Sequence, residues 1–485
     1  MRAQQYLNWS RRARRSCGSL GDKAARQTVS RAGKSRRTSR APDARSLAAM
    51  GLAELQVQVQ FSPVLVKKKN QHQASAGPWS LDDRPPEPQD KAGCSLAEMA
   101  WSALLVTPLV VAQWRGCWEL MVFYTPEQKR ERVLWWSVVV GAAFGVVSAL
   151  LRGVLTKSAT QQRRTWRQRF WLALGSRLYL AAFAASSVAM WRGLWELIDM
   201  HCGHTYQLAL FSIGLGTACL ARLRCMRNLS GPPFVLTPDL NHTIFAFPTR
   251  YRTSGSKDPA LHTLDCVFSV FVVGSLVVIV WRGTWGILDS ILVPEHEDTS
   301  AWLSLAIGYG VTAIGFLLQV PARIACDKLS GGPRLLVADL YQFLCFCGTV
   351  NLWRGVWNLL NIYFLPEKPL VSYWVTHWVC LVVLMILCCG NSLLVRGVYI
   401  DGEEEGGQCV VFQVNYLRYH YKEKRRRQAA AAQSQGHAAS EKRKDAEAAR
   451  GPSMAAAAGA VGENHLHHHH VHVPLLTHTM RDTIL

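Results

Sequence analysis

The 485-residue chain is poor in charge for its length: Asp, Glu, Lys and Arg make up 18% of it, and only 33 residues are acidic. A soluble protein of this size needs more, because its surface must face water. There is no HExxH pattern, no glycine-rich nucleotide loop and no grouping of nucleophile and base, so proteolytic and nucleotide-dependent chemistry have no carriers. The 14 cysteines show neither the short paired spacings of a zinc site nor the clustering of a disulfide framework. Cys219, Cys266, Cys345, Cys347 and Cys380 lie inside apolar runs and read as small buried residues. No short apolar stretch follows the first basic cluster, which argues against a cleaved secretory signal. No nucleic-acid motif accompanies the net charge of +21. The sequence implies no enzyme, cofactor, metal or nucleic-acid partner.

What the chain does have is apolar length. It is 49% hydrophobic with 18 Trp, and between Met99 and Val395 the apolar residues gather into eight runs. A helix needs about 20 such residues to cross the hydrocarbon layer. The expected fold is therefore an all-α membrane protein whose partner is the lipid bilayer. Its spans are expected at 99–123, 133–151, 178–200, 205–221, 266–293, 301–320, 340–364 and 370–395, within a membrane domain covering 98–397.

Trp-Arg-Gly-x-Trp occurs four times, as Trp114, Arg115, Gly116, Trp118; Trp191, Arg192, Gly193, Trp195; Trp281, Arg282, Gly283, Trp285; and Trp353, Arg354, Gly355, Trp357. Each copy sits in the same succession of apolar run, motif, apolar extension, short polar loop, second apolar run and Arg, so the repeating unit is a hairpin of two membrane helices. The linkers share a pattern too: Ala221-Arg222 leads through Cys225 to Leu229-Ser230-Gly231-Pro232, and Ala322-Arg323 through Cys326 to Leu329-Ser330-Gly331-Gly332-Pro333. Eight crossings put both termini on one side. The linkers between hairpins carry 16 Lys and Arg against 4 in the loops within hairpins, which makes the linkers and both termini cytosolic.

Each motif lies 13 to 15 residues beyond the last charge and is followed at once by more apolar sequence. At about 1.5 Å per residue that places the four Arg roughly 20 Å into a layer about 30 Å thick. A charge there has to be paired, snorkelling or wet. Glu119 and Glu196 stand four residues after Arg115 and Arg192, and Asp199 and Asp289 seven after Arg192 and Arg282, so each is expected to pair along its own helix. The fourth copy offers Asn358 and Asn361. Compensated Arg residues suit a polar seam inside a bundle, whereas uncompensated ones would suit an anion pathway. The motif Trp residues can stack on Arg, and the motif Gly lets another helix approach. Gly141, Gly145, Gly214, Gly216, Gly308 and Gly310 offer further contact surfaces, and Asn351, Gln342 and His377 read as packing polars.

Residues 1–97 are expected to form a basic N-terminal arm, of low hydrophobicity over 1–48. Their composition fits disordered cytosolic sequence, and the first 45 also fit a mitochondrial transit peptide. The tail, 398–485, holds the basic cluster Lys422 to Arg427, Ala-rich stretches and the run His467 to His470. It ends Thr483, Ile484, Leu485, the pattern of a ligand for a PDZ-domain protein, in which an aliphatic C-terminal residue follows a hydroxyl two positions earlier.

With its four WRGxW hairpins and eight apolar runs, the chain resembles the fuseless family of eight-pass membrane proteins over about residues 98–400. The resemblance implies a presynaptic plasma-membrane protein that organises voltage-gated calcium channels for neurotransmitter release, with calcium-channel or active-zone proteins as partners. It brings no catalytic residues. The alternatives are a transporter or channel built from parallel hairpin repeats, and a mitochondrial or other intracellular membrane.

Overall fold

A computed structural model describes residues 96–161, 165–240, 243–412, 414 and 416–449. Among them there is no β-strand, and nine helices account for the architecture. They are α1 (Leu96–Phe123), α2 (Arg130–Thr160), α3 (Trp166–Cys202), α4 (Tyr206–Arg222), α5 (Pro259–Ile291), α6 (Glu297–Lys328), α7 (Gly331–Tyr363), α8 (Pro369–Ile386) and α9 (Tyr416–Ala449). The chain divides into a unit reaching Arg418 and a second from Tyr419 onward.

Seven of the described helices are long and apolar enough to cross a membrane. The fourth expected span falls on α4, whose 17 residues make it the shortest of the first eight. Local chemistry sets the helix ends. Thr165 and Gln168 form a capping box at the start of α3, Thr205 accepts from Leu208 N–H at the start of α4, and Asp258 caps α5 ahead of Pro259. A Pro-Glu pair follows α1, α5 and α7, at Pro126, Pro294 and Pro366, where the missing N–H stops the helix. The last expected span, 370–395, is corrected: α8 ends at Ile386, where Cys388 takes φ 54° and residues 390–393 wind into a 3-10 turn.

Packing is shifted by one helix relative to the hairpins. The strongest pairings are α2 with α3, α4 with α5, α6 with α7, and α8 with α1, so each motif helix lies against the second helix of the preceding hairpin. α1, α3, α5 and α7 surround a common axis, and α8 closes the circle onto α1. The other helices turn apolar residues outward, such as Trp136, Phe211, Leu317 and Trp378.

A second, coarser repeat relates the two halves of the bundle. After α4, Arg224 takes φ 54° and residues 226–229 form a 3-10 turn; after α8, Cys388 takes φ 54° and residues 390–393 do the same. Each turn is capped by an aspartate from the other segment. Asp401 accepts the N–H groups of Met226 (2.6 Å) and Arg227 (2.9 Å), and Asp239 those of Gly390 (3.2 Å) and Asn391 (2.6 Å). In return Asp401 N–H donates to Arg224 O (2.9 Å) and Asp239 N–H to Cys388 O (2.8 Å). Asn228 and Tyr399 repeat on one side what Ser392 and Thr237 do on the other. The same relation gives α1 a π-helical turn at Trp101–Val106 and α5 one at Phe268–Val273, each beginning 13 residues before its motif.

The expected kinship of the second and third linkers is thereby corrected. Ala322, Arg323 and Cys326 lie inside α6, and only Leu329 and Ser330 separate it from α7, whereas residues 223–240 and 243–258 are largely irregular. Residues 398–412 also belong to the packed unit, with Val398, Cys409, Val410 and Phe412 buried. Residues 1–95 and 450–485, which include the PDZ-type ending and the His run, lie outside the described residues.

Candidate functional site

The four motifs converge on the axis. Trp114, Trp191, Trp281 and Trp353 form a closed square, each ring meeting the next edge to face with centroids 5.4–5.6 Å apart and planes at 73–85°. One turn further on, Trp118, Trp195, Trp285 and Trp357 form a second square at 5.8–6.0 Å and 83–88°. Edge-to-face contact sets the positive rim of one ring on the negative face of its neighbour, worth about 0.5–1.5 kcal/mol a pair beyond burial. The i,i+4 spacing stacks the two squares on one helix face. On the side away from the second square, indole N–H groups bond to carbonyls of the irregular segments: Trp114 to Leu393 (3.0 Å), Trp281 to Leu229 (3.2 Å) and Trp353 to Pro232 (2.9 Å).

The motif glycines face the other way, toward the neighbouring outer helix. A Cβ on Gly116 would stand 2.6 Å from His377 N, on Gly193 2.8 Å from Leu134 O, on Gly283 2.8 Å from Ala209 O, and on Gly355 2.6 Å from Leu305 N. Backbone meets backbone there, so no larger residue fits. Gly141, Gly216 and Gly308 are equally tight, Gly145 is slightly looser, and Gly214 and Gly310 have nothing within 4 Å.

The arginines lie between neighbouring motif helices, nearly fully buried. Arg282 Nε donates to Asp199 (2.6 Å), Arg354 Nε to Asp289 (2.9 Å) and Arg115 Nε to Asn361 (2.7 Å). In all three the acceptor stands seven residues after the Arg of the preceding copy. The expected pairing of Asp199 with Arg192, and of Asp289 with Arg282, is therefore corrected: the seven-residue offset carries the carboxylate across to the next helix. The position preceding Arg192 in this circuit is Val122, which has no acceptor. Arg192 uses its own Glu196 instead (2.7 Å), and Arg130 bonds the other oxygen of Glu196 (2.9 Å). Glu119 is half-buried beside Arg115 and Arg192, but its expected pairing with Arg115 is corrected: Arg115 bonds Asn361 and Ser372 instead.

Sequence reasoning missed the remaining partners. Thr125 accepts from Arg192, Gly203 O from Arg282, Ser300 from Arg354 and Ser372 from Arg115, while Tyr373 lies under Arg115 at 5.1 Å. All stand near the starts of outer helices or in hairpin loops, and nothing in their own sequence marks them. Gln342 accepts from Ser230, Asn351 spans Cys347 and Ser304, and His377 meets Gln113 at 3.3 Å. Among the described residues no cluster of His, Cys, Asp and Glu could hold a metal ion, and all 12 cysteines are free.

An all-helical bundle with several membrane-length apolar helices and an outward apolar belt fits a multi-pass membrane protein. The chain belongs to the Fuseless family, whose model matches residues 93–394. No curated protein and no solved structure matches it.

Proposed function

We propose that this chain is a non-enzymatic, eight-pass protein of the presynaptic plasma membrane, with both termini cytosolic, that organises voltage-gated calcium channels at release sites. The observation carrying the non-conducting reading is the filled axis: eight indoles interlock where a pathway would run, three of the four arginines are bonded to a neighbouring motif helix, and Arg192 is bonded to its own Glu196. What supports the synaptic role is the resemblance to the Fuseless family over residues 93–394. The eighth crossing is supported by α4 itself, whose 17 residues reach about 25 Å and which packs closely along α5 through Gly216 and Gly283. The orientation is supported by the 16-to-4 distribution of basic residues. Recruitment through Thr483, Ile484 and Leu485 would supply a PDZ-domain partner.

A second reading, a transporter or channel, draws on one feature: the matched π-helical turns of α1 and α5. Such turns often accompany functional sites. Purified protein in liposomes should pass no ions and exchange no solute, and terminals lacking the chain should lose calcium-channel density and evoked release. Flux in liposomes, or terminals with undiminished channel density, would overturn the organiser reading. An epitope at Glu295 to Asp298 should stain on intact cells and one at the C-terminus only after permeabilisation.

A further inference from the structure

Residues 416–418, which open the C-terminal helix, are pinned where α1 begins. Glu98, 1% exposed, accepts the N–H groups of Leu417 (3.0 Å) and Arg418 (2.7 Å), which are orphan donors at the first turn of α9. A carboxylate at that position also complements the helix dipole. Trp101 stacks on Tyr416 at 5.4 Å and 9°, and the Tyr416 hydroxyl donates to Leu387 O just past the end of α8. Three contacts therefore fix the first turn of α9 to the end of the bundle where α1 starts and α8 stops.

From that turn the sequence runs Arg418, Lys422, Lys424, Arg425, Arg426, Arg427, with Glu423 the single acid among them. At about 1.5 Å per residue all six cations lie within about 14 Å of the pinned turn, measured along the helix. That is under two Debye lengths at physiological salt. Lys424, Arg425 and Arg426 are exposed. No aliphatic residue occurs between Leu417 and Ala429, so the segment has no apolar anchors for a hydrophobic groove. Its chemistry is that of a juxtamembrane polybasic patch.

We propose that residues 418–427 bind anionic phospholipid headgroups of the leaflet that α1 enters, and that Glu98 holds the patch at that surface. The inference rests on α1 spanning the membrane, and on neither the sidedness nor the synaptic role proposed above. Each positive charge near an anionic surface contributes about 1 kcal/mol, or roughly fivefold in affinity, and Glu98 adds local concentration without touching lipid.

The test uses the full chain in nanodiscs, which expose both faces, so that a wrong orientation leaves the outcome unchanged. Trypsin cleavage within 418–427 should slow at least tenfold when phosphatidylcholine discs are given 20% phosphatidylserine, and 0.5 M salt should abolish the protection. Glu98→Gln should lose most of the protection while α1–α8 stay resistant. Replacing Lys422, Lys424, Arg425, Arg426 and Arg427 with Gln should lower phosphatidylserine retention, measured by native mass spectrometry, at least tenfold. Equal cleavage in both discs, undiminished retention by the Gln variant, or protection by soluble inositol hexakisphosphate but not by lipid would overturn the proposal. So would protection that survives Glu98→Gln in a correctly folded bundle, as far as the role of Glu98 is concerned.

Discussion

The motif squares and the irregular segments that cap them obey different symmetries. Around the axis the chain repeats four times, Trp on Trp, with the same offset from Arg to acceptor at three of four seams. At the segments after α4 and α8 it repeats twice, and the two copies exchange aspartates. The difference follows from what each region must satisfy. Indoles need only rings at a fixed height, which any helix carrying WRGxW supplies. Irregular backbone inside a bundle must find a partner for every N–H and C=O. Two interlocking segments do this for each other, whereas the short joint between α6 and α7 keeps nearly all its groups inside helices. A fourfold ring of motif helices and a twofold exchange between irregular segments thus coexist in one chain.

The strongest way to break the ring is at its arginines, where the irregular seam makes the four unequal. Arg282→Leu leaves Asp199, 18% exposed, with only the exposed His204 at 3.4 Å, and should cost about 3–5 kcal/mol. Arg192→Leu leaves Glu196 still paired with Arg130, so its cost should be smaller, about 1–3 kcal/mol. Removing Asp199 together with Arg282 should be milder than removing Arg282 alone. Thermal midpoints in detergent report all three, and equal losses for Arg192 and Arg282 would contradict the assigned circuit.

The motif glycines come next. Gly355→Ala puts a methyl 2.6 Å from Leu305 N, and α6 has to move; about 2–3 kcal/mol should be lost. Gly310→Ala, on the same outer helix with nothing within 4 Å, should instead gain about 0.5–1 kcal/mol from helix propensity. Opposite signs for one chemical change on two packed helices would confirm that the motif Gly marks backbone contact. Matching signs would remove that explanation.

Much of the ring was legible in the sequence because a fixed motif demands a fixed environment: the burial of Arg and the close approach at Gly116, Gly193, Gly283 and Gly355 follow from WRGxW, whereas the helix that each motif helix packs on does not. Partner choice was not. Whether Asp199 serves Arg192 or Arg282 depends on how helices rotate about the axis, which local spacing does not encode. The absence at Val122 has meaning only once the circuit is known. The linkers misled for a related reason. Segments 221–232 and 322–333 share side chains but not backbone paths, while 223–229 and 387–393 share a path, with φ 54° at Arg224 and Cys388, and little more than Leu223/Leu387, Cys225/Cys389 and Leu229/Leu393. The bonds that define this fold are made by main-chain N–H groups, which every sequence has. The π-helical turns likewise carry no side-chain signature.

The smallest expected effect tests the twofold exchange itself. Asp401→Asn keeps one acceptor and loses a charge-assisted bond to its turn, so it should cost about 1 kcal/mol, and Asp239→Asn, which also loses its ion pair with the partly exposed Arg177, should cost somewhat more. Their pH dependence gives a sharper mark. Burial, the largest influence, pushes both carboxyls above the ordinary Asp range despite the N–H groups and arginines that pull them down. The folded chain therefore keeps these protons to a higher pH than the unfolded chain does. Stability from such a group is fully present below the unfolded value and is lost as pH rises through the folded one. Wild type should accordingly gain on the Asp239→Asn/Asp401→Asn double variant as pH falls from 7.5 toward 4.5, the reverse of what a well-solvated salt bridge would show. A gap that narrows on acidification would mean that the backbone N–H groups outweigh burial, and that the exchange stabilises the fold mainly through charge.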